Sequence, residues 1–286
     1  MRELVRNIRW IEKSIDFELL EKHSDSFDFT PLESGLEAEV IKICTPETGF
    51  VLKIWNRHSK PEVGIQYKLL DVLYRQGKAV SKPIGWGVDE SGNPVLLTSF
   101  DGLPVNRVDQ SKLTQLAKVL LDIHKVPLES LGDFKLPQHE FVRYFYPGIH
   151  DHPDIENLLV QLVERAKIKQ DCIIHGDYNL GNILEKDGKH TVIDWTNGQP
   201  GDPRYDMAWS NVLIRIYVSE KYYSVYRSAF LSETNYTDEE LLLFEAIACL
   251  RWILLNRIAM LPKRKNTISR VKTLLLSNPY LHAKLL

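Results

Sequence analysis

The 286-residue sequence predicts an α+β chain in two lobes, an antiparallel-sheet lobe over residues 1–101 and a larger, mainly helical lobe over residues 102–286. Three observations predict it. Residues 38–55 hold two β-rich runs joined by a turn. From Asp109 onward the apolar residues recur at helical spacing. Between the two regimes, Asp101-Gly102-Leu103-Pro104 breaks the chain.

The first lobe begins with AEVIKICTPETGFVLKIW, where Pro46-Glu47-Thr48-Gly49 supplies hairpin chemistry with a loop slightly longer than the minimum. Strand alternation puts Val51, Lys53 and Trp55 on one face and Phe50, Leu52 and Ile54 on the other, so Lys53 stands mid-strand. After Ser59 and Pro61, Val63, Tyr67, Leu70 and Tyr74 are spaced by three and four, an amphipathic helix that Gly77 would cap. The stretch SKPIGWGVDESGNPVLLTSF reads as turns, clearest at 89–94, leading into an apolar strand over 95–100.

In the second lobe, Leu113, Leu116, Ala117, Leu120 and Leu121 make one helical stripe, and Ile155, Leu158, Leu159, Leu162 and Val163 another. The stretch CIIHGDYNLGNILEKDGKHTVIDW, residues 172–195, departs from this, with short strands on either side of Lys186-Asp187-Gly188-Lys189. The most apolar later segment, 241–261, contains Glu245, Arg251 and Arg257, which are costly at bilayer depth; it reads as a core helix. There is no internal repeat and no low-complexity segment.

Composition narrows the partners. At 44% hydrophobic residues the chain can bury a substantial core, and a net charge of −2 with a pI near 6.5 gives no field that would gather nucleic acid or an anionic membrane. Cys44, Cys172 and Cys249 are widely separated, without zinc or redox spacing, and read as free thiols in a reducing cytosol. The first residues mix charges and show no signal-peptide core, so the expected location is cytoplasmic.

The residues that carry chemistry are a strand lysine, Lys53, and the oxygen-bearing Asp177, Asn182 and Asp194 at the edges of core strands. Hard oxygens suit Mg²⁺, which commonly takes one or two protein ligands together with substrate phosphates. A carboxylate off the metal can accept a hydroxyl proton, and a lysine can pair with phosphate as a point charge. Together they describe phosphoryl transfer. Hairpin register tests the arrangement. A two-residue loop at Asp187-Gly188 would pair Lys186 with Lys189 and put Asn182 and Asp194 on opposite faces. A three-residue loop, Asp187 to Lys189, would set Asn182 across from Asp194. The longer loop is expected, or else an irregular backbone at Asn182.

HGDYNLGNIL followed by VIDW, with GDPRYDMAW after it, resembles the catalytic and metal loops of the aminoglycoside phosphotransferase and choline kinase superfamily, which has the protein-kinase-like fold. The resemblance spans about residues 30–215 and rests on four motif elements in order: HGD, an Asn five residues after its Asp, IDW and GDPxxD. It implies ATP and Mg²⁺ as cofactors and a small-molecule hydroxyl as acceptor. By it, Asp177 is the base, Asn182 and Asp194 hold Mg²⁺, and Lys53 contacts the α- and β-phosphates. The 33–37 loop with Gly35 covers the phosphates, and Thr98, Ser99 and Phe100 form a hinge whose backbone meets adenine. His175 is expected to brace the loop that holds Asp177, and Asp202 and Asp206 to cap the next helix and support that loop.

Three features depart from the family pattern. The phosphate loop has Gly35 as its only glycine. Gln66 stands where the resemblance implies a carboxylate paired with Lys53, and Glu62, one turn earlier on the same helix face, is the carboxylate that could replace it. Both otherwise read as surface or interlobe polar residues. Trp195 occupies the place of the protein-kinase Phe, as is usual in the small-molecule branch. The aromatic residues Tyr205, Trp209, Tyr217, Tyr222 and Tyr223 read as core before they read as a cation cage. From Asp206 to Leu286, seven Asp/Glu stand against eleven Lys/Arg, which counts against a polycationic acceptor. Macrolide, amino alcohol, sugar and amino acid acceptors stay open. Two other readings remain: a catalytically silent nucleotide-binding module, motivated by Gln66 and the glycine-poor loop, and a metal-carboxylate hydrolase for which Lys53 would be dispensable.

Overall fold

The computed structural model describes residues 5–22, 27–32, 38–45, 48–59, 62–259 and 261–286. Gly35 and the rest of the 33–37 loop lie outside the described residues, as do Pro46 and Glu47 of the first hairpin turn. The chain divides into two compact units. One comprises Met1–Pro104, Leu131–Phe134 and Ile183–Thr196; the other comprises Val105–Ser130, Lys135–Asn182 and Asn197–Leu286.

In the first unit, strands β1 (Arg9–Lys13), β2 (Asp28–Pro31), β3 (Ala38–Cys44), β4 (Gly49–Trp55), β5 (Pro83–Val88) and β6 (Pro94–Ser99) form an antiparallel sheet in the order β1-β5-β6-β4-β3-β2. Alternation on β4 is as expected: Phe50, Leu52 and Ile54 are buried in a core shared with Ile41, Ile43, Val95 and Leu97. Phe17 and Leu20 of the short helix α1 (Phe17–Lys22) belong to the same core. Lys53 lies on the other face, directly across from Val40 and Leu96.

The stretch read as turns before residue 89 is instead the strand β5. Pro83, Gly85 and Gly87 hide it, because proline and glycine are poor strand formers. The glycines serve a packing need: a Cβ on Gly87 would stand 2.3 Å from the Arg9 carbonyl oxygen of β1. The turn over 89–93 stays as expected, with the Asp89 carboxylate accepting from the Ser91 and Asn93 N–H groups.

Helix α2 (Val63–Arg75) packs against β5 and β6 and ends at Gly77, whose φ is +71°. Its buried stripe is Val63, Gln66, Tyr67, Leu69, Leu70 and Leu73, while Tyr74 is 41% exposed and off the stripe. Gln66 is therefore buried, which removes the surface half of the surface-or-interlobe reading.

A second sheet in this unit contains β7 (Leu103–Pro104), β9 (Ile183–Lys186) and β10 (Lys189–Val192), in the order β10-β9-β7. Lys186 pairs with Lys189, so the loop is Asp187-Gly188 and the three-residue alternative is overturned. Both loop residues have positive φ, +52° and +75°, the geometry of the tight hairpin turn that Asp-Gly favours.

In the second unit, helix α3 (Gln110–His124) starts at Asp109, whose carboxylate accepts from the Lys112 N–H, and buries all five residues of the predicted stripe. After the short α4 (Phe141–Phe145), α5 (Pro153–Ala166) buries Ile155, Leu159 and Leu162, with Leu158 and Val163 half-buried. Strands β8 (Cys172–Ile174) and β11 (Gln199–Gly201) pair antiparallel. The rest is helical: α6 (Pro203–Tyr217), α7 (Glu220–Glu233), α8 (Asp238–Ala259) and α9 (Thr267–Ser277). Helix α8 is the expected core helix, packed against α5 and α6 and buried almost continuously from Leu241 to Leu254. Among the described residues no helix is long and apolar enough to cross a membrane. All three cysteines are free thiols.

Candidate active site

In the second unit, β8 delivers the chain into the loop His175-Gly176-Asp177. Gly176 has φ +76°, and a Cβ there would meet Asn197 at 2.8 Å, so the turn requires glycine. Asp206 of α6, fully buried, accepts from the His175 N–H at 2.7 Å and from the Gly176 N–H at 2.8 Å. Its Oδ2 also lies 3.1 Å from His124 Nε2. Burial pushes this carboxyl up, but the His124 contact, the charges of His124 and His175 and the His175 N–H outweigh it, leaving the group below its ordinary value. The carboxylate thus stays ionised and fixes two consecutive backbone amides.

Three further contacts stiffen the loop. Arg251 of α8 donates from Nη1 to the Gly176 carbonyl at 2.8 Å. Tyr178 donates its hydroxyl to the Leu116 carbonyl. His175, buried, accepts the Asp177 N–H at Nδ1, 3.2 Å away. Asp202 caps α6 by accepting the Arg204 N–H and pairs with the Arg204 guanidinium at 2.7 Å.

The half-buried Asp177 carboxylate is held at both oxygens. Trp209 donates its indole N–H to Oδ1 at 2.8 Å, and the amides of Asn179 and Asn182 reach Oδ2, each at 3.2 Å. Both amides also donate to the Asp177 carbonyl at 3.0 Å. Asn182 ends a 3-10 turn, Leu180–Asn182, so the irregular backbone expected there as the alternative to the longer loop is present. With its N–H₂ facing Asp177, the amide keeps its Oδ1 free of hydrogen bonds from described residues.

In the first unit, Asp194 follows the end of β10 with φ +65°, a left-handed conformation that Asp tolerates better than most residues. Its Oδ1 accepts from the Thr196 hydroxyl at 2.8 Å and lies 3.4 Å from Lys53 Nζ. Lys53 therefore has a carboxylate partner that is neither Gln66 nor Glu62; the Glu62 side chain is exposed at the start of α2 and makes no cap bond. Trp195 is buried, with its indole N–H on the Val192 carbonyl.

The 98–100 segment is more committed than the sequence implied. The Ser99 N–H donates to the Lys82 carbonyl and the Phe100 N–H to the Gly49 carbonyl, each at 2.9 Å. Ser99 also lines a pocket of about 290 Å³ with Phe50, Ile84 and Lys82, on the sheet face opposite Lys53. Thr98 pairs with Val51, on the Lys53 side of the sheet, and the Phe100 ring carries Lys42 Nζ at 3.8 Å.

Among the described residues no cluster of three or more His, Cys, Asp or Glu is placed to hold a metal by itself. Each unit offers a hard oxygen donor, the Asp194 carboxylate in the first and the Asn182 Oδ1 in the second, and Mg²⁺ takes such oxygens together with phosphates and water. Sequence reasoning missed Asn179, Trp209, Arg251 and His124. Asn179 alone carried a local signal, an amide two residues after an Asp in a turn; Trp209 and Arg251 reach the loop from 32 and 75 positions away, and His124 reaches Asp206 from 82.

The profile of the phosphotransferase enzyme family matches residues 28–241. No curated protein matches the chain. A thermostable variant of aminoglycoside phosphotransferase APH(4)-Ia, solved with AMP-PNP and hygromycin B, superposes with a TM-score of 0.63 at 15% identity, covering 93% of this chain and 99% of that one. Plasmodium vivax ethanolamine kinase gives 0.59 at 16%, covering 90% and 83%. A GDP complex of an aminoglycoside 2′-phosphotransferase of type IIIa gives 0.63 at 16%, covering 91% and 94%. At these identities the likeness establishes a shared protein-kinase-like fold. With three quarters of its length matched by the family profile and both the sheet and the helical units of that fold in place, the chain belongs to the phosphotransferase enzyme family.

Proposed function

We propose that the protein transfers the γ-phosphoryl group of ATP to a hydroxyl of a small molecule. The observation that carries this reading is the Asp177 carboxylate, fixed by Trp209, Asn179 and Asn182 on a loop whose backbone is anchored by Asp206. A base so held needs no reorientation when an acceptor hydroxyl arrives. Residues 1–101 supply the nucleotide side and residues 102–286 the base and acceptor side.

In the reaction, Asp177 takes the proton of the acceptor hydroxyl as its oxygen bonds to the γ-phosphorus and the bond to the β,γ-bridging oxygen breaks, giving a phosphate ester and ADP. Lys53 neutralises the α- and β-phosphates, poised by its Asp194 pairing. Asn182 and Asp194 would hold Mg²⁺, which supplies charge neutralisation at the phosphate oxygens. Adenine meets the segment from Thr98 to Phe100 and, because the Ser99 and Phe100 N–H groups are spent in the sheet, takes its N–H donor from the residues that follow.

The test is ADP release measured over a panel of hydroxyl compounds, with Asp177→Asn as the control. Turnover lost in the variant while ATP still raises the melting temperature supports the reading; turnover unchanged in the variant refutes it. The silent-module reading is favoured by one observation, the amide Gln66 on α2 in place of a carboxylate, and predicts ATP binding with no acceptor-stimulated ADP release.

A further inference from the structure

Arg251 is a buried cation beside the loop that carries Asp177. Its Nη1 serves the Gly176 carbonyl and the Tyr205 hydroxyl, at 2.8 and 3.2 Å. The guanidinium lies over two rings, 4.3 Å from the centre of Trp209 and 4.7 Å from that of Phe145. Trp209 is the residue that donates to Asp177 Oδ1. The Arg251 Nε is buried without an acceptor, and neither of its hydrogen bonds uses Nη2. A buried guanidinium with unspent donors is destabilising until an acceptor reaches it.

We propose that Arg251 sets the charge class of the acceptor, so that the molecule phosphorylated at Asp177 is a hydroxyl compound carrying a carboxylate or similar anion, and cationic alcohols are rejected. This rests on the phosphotransferase reading given above. The aromatic surface that could attract a quaternary ammonium or protonated amine is already covered on Trp209 by the protein's own cation. A second cation there meets like charge.

Among the described residues, Asp206 is bound to His124 and the loop amides and Glu245 to Tyr223 and Asn211, while the charge of Asp177, the base, already acts on Arg251. An anion gains instead, because the Nε and Nη2 edge of the planar guanidinium, which makes no hydrogen bond among the described residues, matches a carboxylate. The excess of basic residues from Asp206 to Leu286 has the same sign.

The experiment uses matched triads, D-gluconate, D-glucose and D-glucosamine, then glycerate, glycerol and serinol, with the full chain. Two readouts are taken: kcat/KM for ADP release with Mg²⁺-ATP, and the melting shift at millimolar compound without nucleotide. The anionic member of a triad is expected to lead in both. Arg251→Gln should lower the anion-to-cation ratio about tenfold or more, and Arg251→Lys, which keeps the charge, should preserve its sign. A lead by the cationic members, no melting shift from any anionic member, or variants that slow all acceptors in equal proportion would each overturn the assignment. Vigorous turnover of cationic alcohols would do so while leaving the phosphotransferase reading intact; ADP release that ignores Asp177→Asn would instead remove that reading.

Discussion

The indole N–H of Trp209 lies 2.8 Å from Asp177 Oδ1, so a residue of α6 orients the carboxylate at the end of the His175-Gly176-Asp177 loop. Trp209→Phe keeps a ring for Arg251 to cover and deletes only the donor. A hydrogen bond to a charged group contributes about 1.5–3 kcal/mol. If that is expressed in the transition state, kcat falls about 10- to 100-fold while the KM for ATP stays within about twofold. Steady-state kinetics at saturating acceptor checks this. A KM effect without a kcat effect would show that the indole serves binding and not the base.

Lys53 and Asp194 approach to 3.4 Å, with the lysine side chain 20% exposed and the carboxylate 41%. The pair is too solvated to matter much for stability. Under the proposed function it would hold the ammonium where phosphates arrive. Lys53→Met should therefore raise the KM for ATP about tenfold or more and leave melting nearly unchanged; Lys53→Arg should rescue poorly, since a planar fork does not replace a point charge. Unchanged nucleotide kinetics in Lys53→Met would favour the hydrolase reading, which has no use for this lysine.

The fold class was legible because the two halves differ in hydrophobic period: alternation at 50–55 and helical stripes from Leu113 onward both survive in the structure. Asp177, Asn182 and Asp194 were legible as candidates because the loop motif is local. The hairpin register was misjudged in the direction that would have brought Asn182 and Asp194 into regular pairing. In fact the Asp-Gly turn geometry prevails, and Asn182 sits in a 3-10 turn with Asp194 beyond the strand end. Strand β5 was illegible because its glycines answer to the backbone of β1, a partner distant in sequence. Trp209 and Arg251 act through contacts that no local pattern encodes.

Gly102 has φ +111°, and a Cβ there would stand 2.2 Å from the Glu185 carbonyl oxygen of β9. Gly102→Ala therefore meets both backbone strain and a clash with main chain that cannot rotate away. A loss of about 2–3 kcal/mol is expected, lowering Tm by about 5 °C or more. Gly92 is the control: its φ is +77°, but nothing lies within 4 Å of the added methyl, so Gly92→Ala should cost about 1 kcal/mol. Equal losses in the two variants would mean that the contact with β9 contributes nothing.

Glu245 is buried in α8 with Tyr223 and Asn211 as hydrogen-bond partners. Arg227 Nε lies 3.3 Å away, near enough for charge attraction but without hydrogen-bond geometry. Burial raises its carboxyl from 4.5 to about 7, against the opposing pull of Arg227 and the Tyr223 hydroxyl. Between those two values the folded protein holds a proton that the unfolded chain has released. Stability should therefore fall as pH rises from 4.5 through about 7 and level off above, by an amount of order 3 kcal/mol. Asp206 works in a different window: its depressed value makes its contribution complete above 3.8 and lost only as pH falls further. Urea unfolding midpoints measured across pH separate the two groups. Glu245→Gln should flatten the slope between 4.5 and about 7 and leave the acid limb in place; a slope that persists in the variant would assign that titration to another group.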